Sequence, residues 1–122
     1  MRVLKIEPGK KPEAVEIGSG LEKMQQVVGG HIQVLYPFDD PVALVCNEEG
    51  KLLGLPFNRA LRDDEGKVYD IISGVFFLCA APPDSDRFAG LTDQQVKTYM
   101  ERFDVPEMFL SVDGDLFVLP YL

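Results

Sequence analysis

Few residues in this chain are of types that do chemistry near neutral pH. One histidine, His31, and two cysteines, Cys46 and Cys79, are its whole supply of imidazole and thiol. A thiol nucleophile needs an imidazole within hydrogen-bond reach, and nothing in the spacing brings such a pair together. His31 reads as an ordinary residue at the edge of a strand, after a helix-stopping glycine pair. Two cysteines and one histidine at no recognised spacing do not make a tetrahedral zinc site. The carboxylate cluster Asp63-Asp64-Glu65, with Asp70 nearby, offers the oxygen ligands a hard cation takes, but without the spacing of a calcium loop. It reads as a solvated hairpin tip. Gly18-Ser19-Gly20 opens a helix, and helix N-termini attract anions, yet neither G-x-G-x-x-G nor the Walker lysine pattern is present. No catalytic residue, metal ligand or cofactor is expected, and the balance leans away from an enzyme.

The polar groups most suggestive of binding are Asn47 and Glu48 in Asn47-Glu48-Glu49-Gly50, together with Asn58 and Arg59. Arg59 lies between apolar Phe57 and Ala60-Leu61, where a guanidinium can pair with carboxylate or phosphate bidentately. The plainer reading is an internal salt bridge or backbone cap. If Val42–Cys46 and Lys51–Leu55 form a hairpin through Asn47–Gly50, the two polar pairs lie at opposite ends of it.

The elements that must carry these residues are mostly strands. Val3–Ile6 and Ala14–Ile17 pair as a hairpin around Pro8–Pro12. Ser19-x-x-Glu22 has the spacing of a capping box, and Leu21, Met24, Val27 and Val28 follow at helical spacing to the Gly29-Gly30 stop. Ile32–Tyr36, Val42–Cys46 and Lys51–Leu55 read as strands, and Pro56–Gly74 as irregular chain with a charged loop. Val75–Ala80 is apolar throughout, as a strand buried on both faces is. Thr92-x-x-Gln95 is a second capping box, with Leu91 and Val96 placed as its hydrophobic staple. Val96, Tyr99, Met100 and Phe103 then mark one face of a helix. Asp113-Gly114 splits the apolar tail into two strands, the strongest short hairpin signal in the chain. The fold class is α+β: a mostly antiparallel sheet of about six strands, two short amphipathic helices and a C-terminal hairpin. Residues 1–103 form one domain, and 104–122 an apolar extension packed on the domain or on a partner.

The totals suit that architecture. A chain of 122 residues with 46% hydrophobic content buries a conventional core without disulfides or metal. Both cysteines sit in apolar runs, as reduced buried thiols do. No signal peptide or bilayer-spanning run is apparent, so a cytoplasmic setting is expected. The net charge of −8 argues against direct nucleic-acid binding, which needs a basic footprint. Charge is uneven: residues 1–11 carry four bases against one acid, and residues 84–122 eight acids against three bases.

Five phrases in order carry a resemblance: IEPGKKPE at 6–13, VGGHIQV at 28–34, NEEGKLLGLPFNRAL at 47–61, DIISGVFFL at 70–78 and LTDQQVKTYMERF at 91–103. Together they resemble an uncharacterised, domain-of-unknown-function family of short proteins encoded by phages, plasmids and conjugative elements of Gram-positive bacteria. The resemblance implies a mobile-element accessory protein and brings no catalytic residues with it. The leading expectation is a non-enzymatic interaction protein, with a protein partner or self-association, a homodimer among the forms. One alternative is an acidic DNA mimic or anti-restriction protein. The other is a small ligand-binding domain or enzyme using Asn58 and Arg59.

Overall fold

A computed structural model of the chain describes residues 1–121. In chain order the elements are β1 (Arg2–Ile6), β2 (Glu13–Glu16), α1 (Leu21–Val28), β3 (Ile32–Leu35), β4 (Val42–Asn47), β5 (Phe57–Arg62), β6 (Val68–Ser73), β7 (Phe76–Ala80), α2 (Asp93–Arg102), β8 (Glu107–Val112) and β9 (Asp115–Pro120). A five-stranded sheet runs β2-β1-β7-β4-β3, and β5-β6 and β8-β9 form separate two-stranded hairpins. Every pairing is antiparallel. The class is α+β, with nine strands among the described residues where about six are expected from the sequence.

The central sheet is apolar on both sides because side chains alternate across a strand. Along β7, Phe76, Leu78 and Ala80 enter one cluster, with Leu4, Ile6, Val42 and Leu44. Phe77 and Cys79 enter the other, with Val3, Ala43 and Val45. Helix α1 covers the second cluster with Met24 and Val28. The first is covered by α2, through Tyr99 and Phe103, and by Leu61 and Ile72 of the β5-β6 hairpin. Of the stretch Val75–Ala80, Phe76–Ala80 is the expected strand buried on both faces, and Val75 stands before it.

Local signals held in some places and failed in others. Thr92 Oγ1 accepts from Gln95 N–H at 3.1 Å and Gln95 Oε1 from Thr92 N–H at 2.9 Å, the expected box. At α1 the expected box is absent: Gly20 is the N-cap, and no side chain caps it. The helix starts one residue too late for Ser19, which puts Glu22 at the second helical position rather than the third. Residues 51–55 form no strand. Leu53 N–H donates to the Glu49 carbonyl and Gly54 N–H to that of Lys51, so the chain coils. Leu52 and Leu53 are left in solvent. The stretch read as irregular instead supplies β5 and β6, joined by the charged tip, where Asp63 Oδ1 accepts from the backbone of Glu65 and Lys67. No helix among the described residues is long and apolar enough to cross a membrane.

The two thiols are free, buried and on opposite faces of the sheet. Burial pushes Cys79 up to about 12. Cys46 rises to about 11, through burial first and then Asp70, against Lys51. The folded chain therefore holds both protons more tightly than the unfolded one. The stability linked to them is whole below the unfolded thiol pKa, about 8.5, and is lost as pH rises through these folded values. Stability measured by equilibrium unfolding is therefore expected to fall steadily as pH rises above that point. Ellman's reagent at neutral pH should label neither thiol until denaturant opens the core, since only the thiolate reacts. Prompt labelling of the native chain would contradict this placement.

Candidate functional site

Asn58 and Arg59 are consecutive strand residues, and alternation should point one of them outward. Both are buried, Asn58 at 0% and Arg59 at 1% exposure. The cause is a register shift in the β5-β6 ladder: Phe57 pairs with Ser73 but Arg59 with Ile72, leaving Asn58 as the extra residue of a bulge. A bulge re-aims side chains, and this one turns the pair together into the seam beneath the central sheet.

Their hydrogen bonds define what the pair does there. Asn58 Nδ2 donates to the carbonyls of Ile6, at the end of β1, and Gly74, before β7, both at 2.8 Å. Arg59 Nε and Nη2 donate to the Phe103 carbonyl at 3.3 and 3.0 Å. Nη2 also reaches the Lys10 carbonyl at 2.6 Å, and Nη1 reaches Asn58 O and Oδ1 at 3.3 and 3.0 Å. A guanidinium has five N–H groups, and all five are taken by neutral oxygens. Phe103 is the C-cap of α2, so a cation sits where the helix dipole leaves negative charge. Burial lowers the Arg59 pKa, with Glu107 and Asp104 opposing it. The pair fastens β1, the β1-β2 loop, the end of α2 and the start of β7 to the β5-β6 hairpin.

Asn47 serves a similar end at another joint. Its Nδ2 donates to the Val28 carbonyl at the close of α1, and its Oδ1 accepts from Glu49 N–H at 2.8 Å. Gly30 is needed beside it, since a Cβ there would lie 2.9 Å from Asn47 Nδ2. Glu48 is exposed, and its backbone N–H donates to the His31 carbonyl. Because no hairpin runs through 51–55, the two polar pairs are not at opposite ends. β4 ends at Asn47, β1 ends at Ile6 and β7 begins at Phe76, and the antiparallel pairing gathers these at one end of the sheet. No hydrogen bond joins the pairs among the described residues.

The remaining candidates separate. Asp70 pairs with Lys51 at 2.7 Å. Among the described residues no three His, Cys, Asp or Glu side chains gather as metal ligands would. What the sequence reading passed over lies next to Arg59. Glu107 Oε1 accepts from Ala60 N–H at 2.8 Å, and its Oε2 pairs with Arg62 at 2.6 Å. Beside them opens a cleft of about 380 Å³, lined by Arg59, Arg62, Arg102, Phe103, Val105 and Pro120 among others. Two apolar runs flanking Asp63–Gly66 were the available signal for the hairpin that carries it.

Compared with known families, residues 1–104 match one described as a domain of unknown function, DUF3846. The chain belongs to this family. No curated protein and no solved structure matches it. The DUF3846 match takes in the five-stranded sheet, both helices and the Asn58–Arg59 joint. The β8-β9 hairpin lies beyond it and is held to the DUF3846 domain by Glu107 and by Phe109, whose ring meets Phe57 at 5.4 Å.

Proposed function

We propose that the protein is a non-enzymatic accessory of a mobile genetic element that works by self-association, two copies meeting through their β8-β9 hairpins. The mobile-element part draws on the sequence resemblance alone. The self-association part draws on one observation, an apolar hairpin face that no other described residue covers. Residues i and i+2 share a face, so Glu107 and Phe109 turn toward β5 while Met108, Leu110 and Val112 turn away. Cross-strand partners Leu119 and Phe117 join that outer face. Leu110, Val112, Phe117 and Leu119 keep between 41% and 52% of their surface in solvent. A contiguous exposed apolar patch marks an interaction surface.

A second copy fits this face better than a different protein. The face carries one charge, Asp115 at its tip, so it lacks the polar pattern by which an interface selects an unlike partner. An apolar patch can meet itself across a two-fold axis without complementary charges. DNA mimicry is favoured less, because carboxylates alternate with bases: Arg2–Asp93, Lys10–Glu7, Lys11–Asp104 and Lys51–Asp70 are ion pairs. A ligand site built on Asn58 and Arg59 is also favoured less, since their donors already have backbone partners.

Light scattering on the eluting full chain tests the reading. A dimer is expected at concentrations on the order of 100 μM, and Leu110→Lys with Phe117→Lys should give a monomer with an unchanged unfolding midpoint. A wild-type chain that stays monomeric over that range would overturn self-association.

A further inference from the structure

We propose that the cleft between β5, the end of α2 and the β8-β9 hairpin binds a small organic anion, a carboxylate or phosphate with an apolar body. This goes beyond self-association and does not depend on it. Three of the five arginines in the chain line this one cleft, against the single carboxylate of Glu107. On a molecule of net charge −8 that is a local reversal of sign. Clefts lined by one sign of charge focus the field on ligands of the other sign.

The arginines have distinct parts. Arg59 forms part of the wall and contributes charge, but its N–H groups are fully engaged. Arg62 gives Nη2 to Glu107 and has no other side-chain partner among the described residues. The rest of its fork is available to a planar or tetrahedral anion, the geometry Arg recognises bidentately. Arg102 is exposed and stands at the cleft's edge, its guanidinium 4.8 Å from the centroid of the Phe38 ring, which does not line the cleft, and it forms no ion pair among the described residues. Glu107 does not neutralise the site, because its one negative charge, paired with Arg62, leaves those of Arg59 and Arg102 in the lining unmatched. Leu61, Phe103, Val105 and Pro120 supply apolar wall. The volume of about 380 Å³ lies in the range of small-molecule sites, which pair apolar lining with a few placed polar groups.

The test is a titration of the ¹⁵N-labelled full chain with phenyl phosphate and, separately, benzoate, followed by NMR. Inorganic phosphate and benzylamine serve as controls. Saturable shifts are expected at the amides of Leu61, Phe103 and Val105 and at Arg62 Nε–H, with either or both aromatic anions. Response to phenyl phosphate alone would assign the class to phosphomonoesters, and to benzoate alone to carboxylates. Arg62→Gln should weaken binding about tenfold and Arg102→Gln by about threefold, in line with the loss of charge-assisted hydrogen bonds. Spectra of both variants report whether the fold is kept, and Arg102→Gln touches no hydrogen bond among the described residues. The proposal is overturned if neither aromatic anion saturates below about 10 mM, weaker than a fragment of that size should bind a built site. It is overturned equally if benzylamine shifts the same residues, or if both folded variants bind like wild type. Inorganic phosphate binding as tightly as phenyl phosphate would overturn the role of the apolar wall.

Discussion

Arg59→Ala is expected to lower unfolding stability by about 4 kcal/mol or more, a large share of the about 5–15 kcal/mol that holds a typical domain folded. The substitution strands the Phe103 and Lys10 carbonyls and Asn58 Oδ1 in a region that Arg59 fills at 1% exposure. Each buried acceptor left unpaired costs about 1–3 kcal/mol. The emptied volume adds a cavity term. Removing a buried charge offsets part of this, because desolvating the guanidinium was itself unfavourable. Arg59→Met separates the two effects: it refills most of the volume, and any residual loss is the loss of hydrogen bonds. Arg59→Lys should rescue little, since three N–H groups on a flexible stem do not reproduce a planar fork of five. Because Asn58 Oδ1 accepts from Arg59, Asn58→Ala and Arg59→Ala should be non-additive in a double-mutant cycle. Urea midpoints unchanged in Arg59→Ala would mean that the joint is not structural.

Glu107→Ala is expected to destabilise by about 2–3 kcal/mol and to act first on the β8-β9 hairpin. Ala60 N–H loses its acceptor at 2.8 Å and Arg62 its partner at 2.6 Å. The Glu107 side chain is only 10% exposed, so this pair is screened less than a surface one and is worth more. Glu107→Gln keeps an acceptor for Ala60 and removes the charge, and should lose about half as much. Amide hydrogen exchange separates local from global effects. Faster exchange in β8 and β9, with β7 and β4 protected, is the expected pattern; equal acceleration everywhere would place Glu107 in the core of the cooperative unit instead.

The parts of the fold legible in the sequence are those decided over a few residues. Val75–Ala80 reads as a doubly buried strand because it lacks polar residues. Thr92 and Gln95 satisfy each other within one turn. Gly29 and Asp113-Gly114 stop a helix and turn a hairpin by taking φ values of 79°, 52° and 85°, which few other residues adopt without strain. Local signals also misled where the outcome depended on neighbours. The apolar residues of 51–55 resemble a strand, but no partner strand lies beside them among the described residues. Ser19 has its cap spacing, but α1 begins one residue later.

The candidate site divides in the same way. Sequence alone determined that the chain is acidic, lacks a recognisable catalytic or metal motif, forms an α+β fold and ends in an apolar hairpin. It also singled out Asn58 and Arg59 as unusual polar residues in apolar surroundings. Only the tertiary structure decided what they do. The bulge at Asn58 arises in pairing with β6, and the acceptors for Arg59 beyond its neighbour are Lys10 and Phe103, 49 and 44 residues away. Burial of the arginine, the cleft beside it and the commitment of Glu107 follow from contacts across such distances. A guanidinium has the same donors wherever it stands, and the acceptors that the folded chain brings to it determine whether it fastens the structure or faces a ligand.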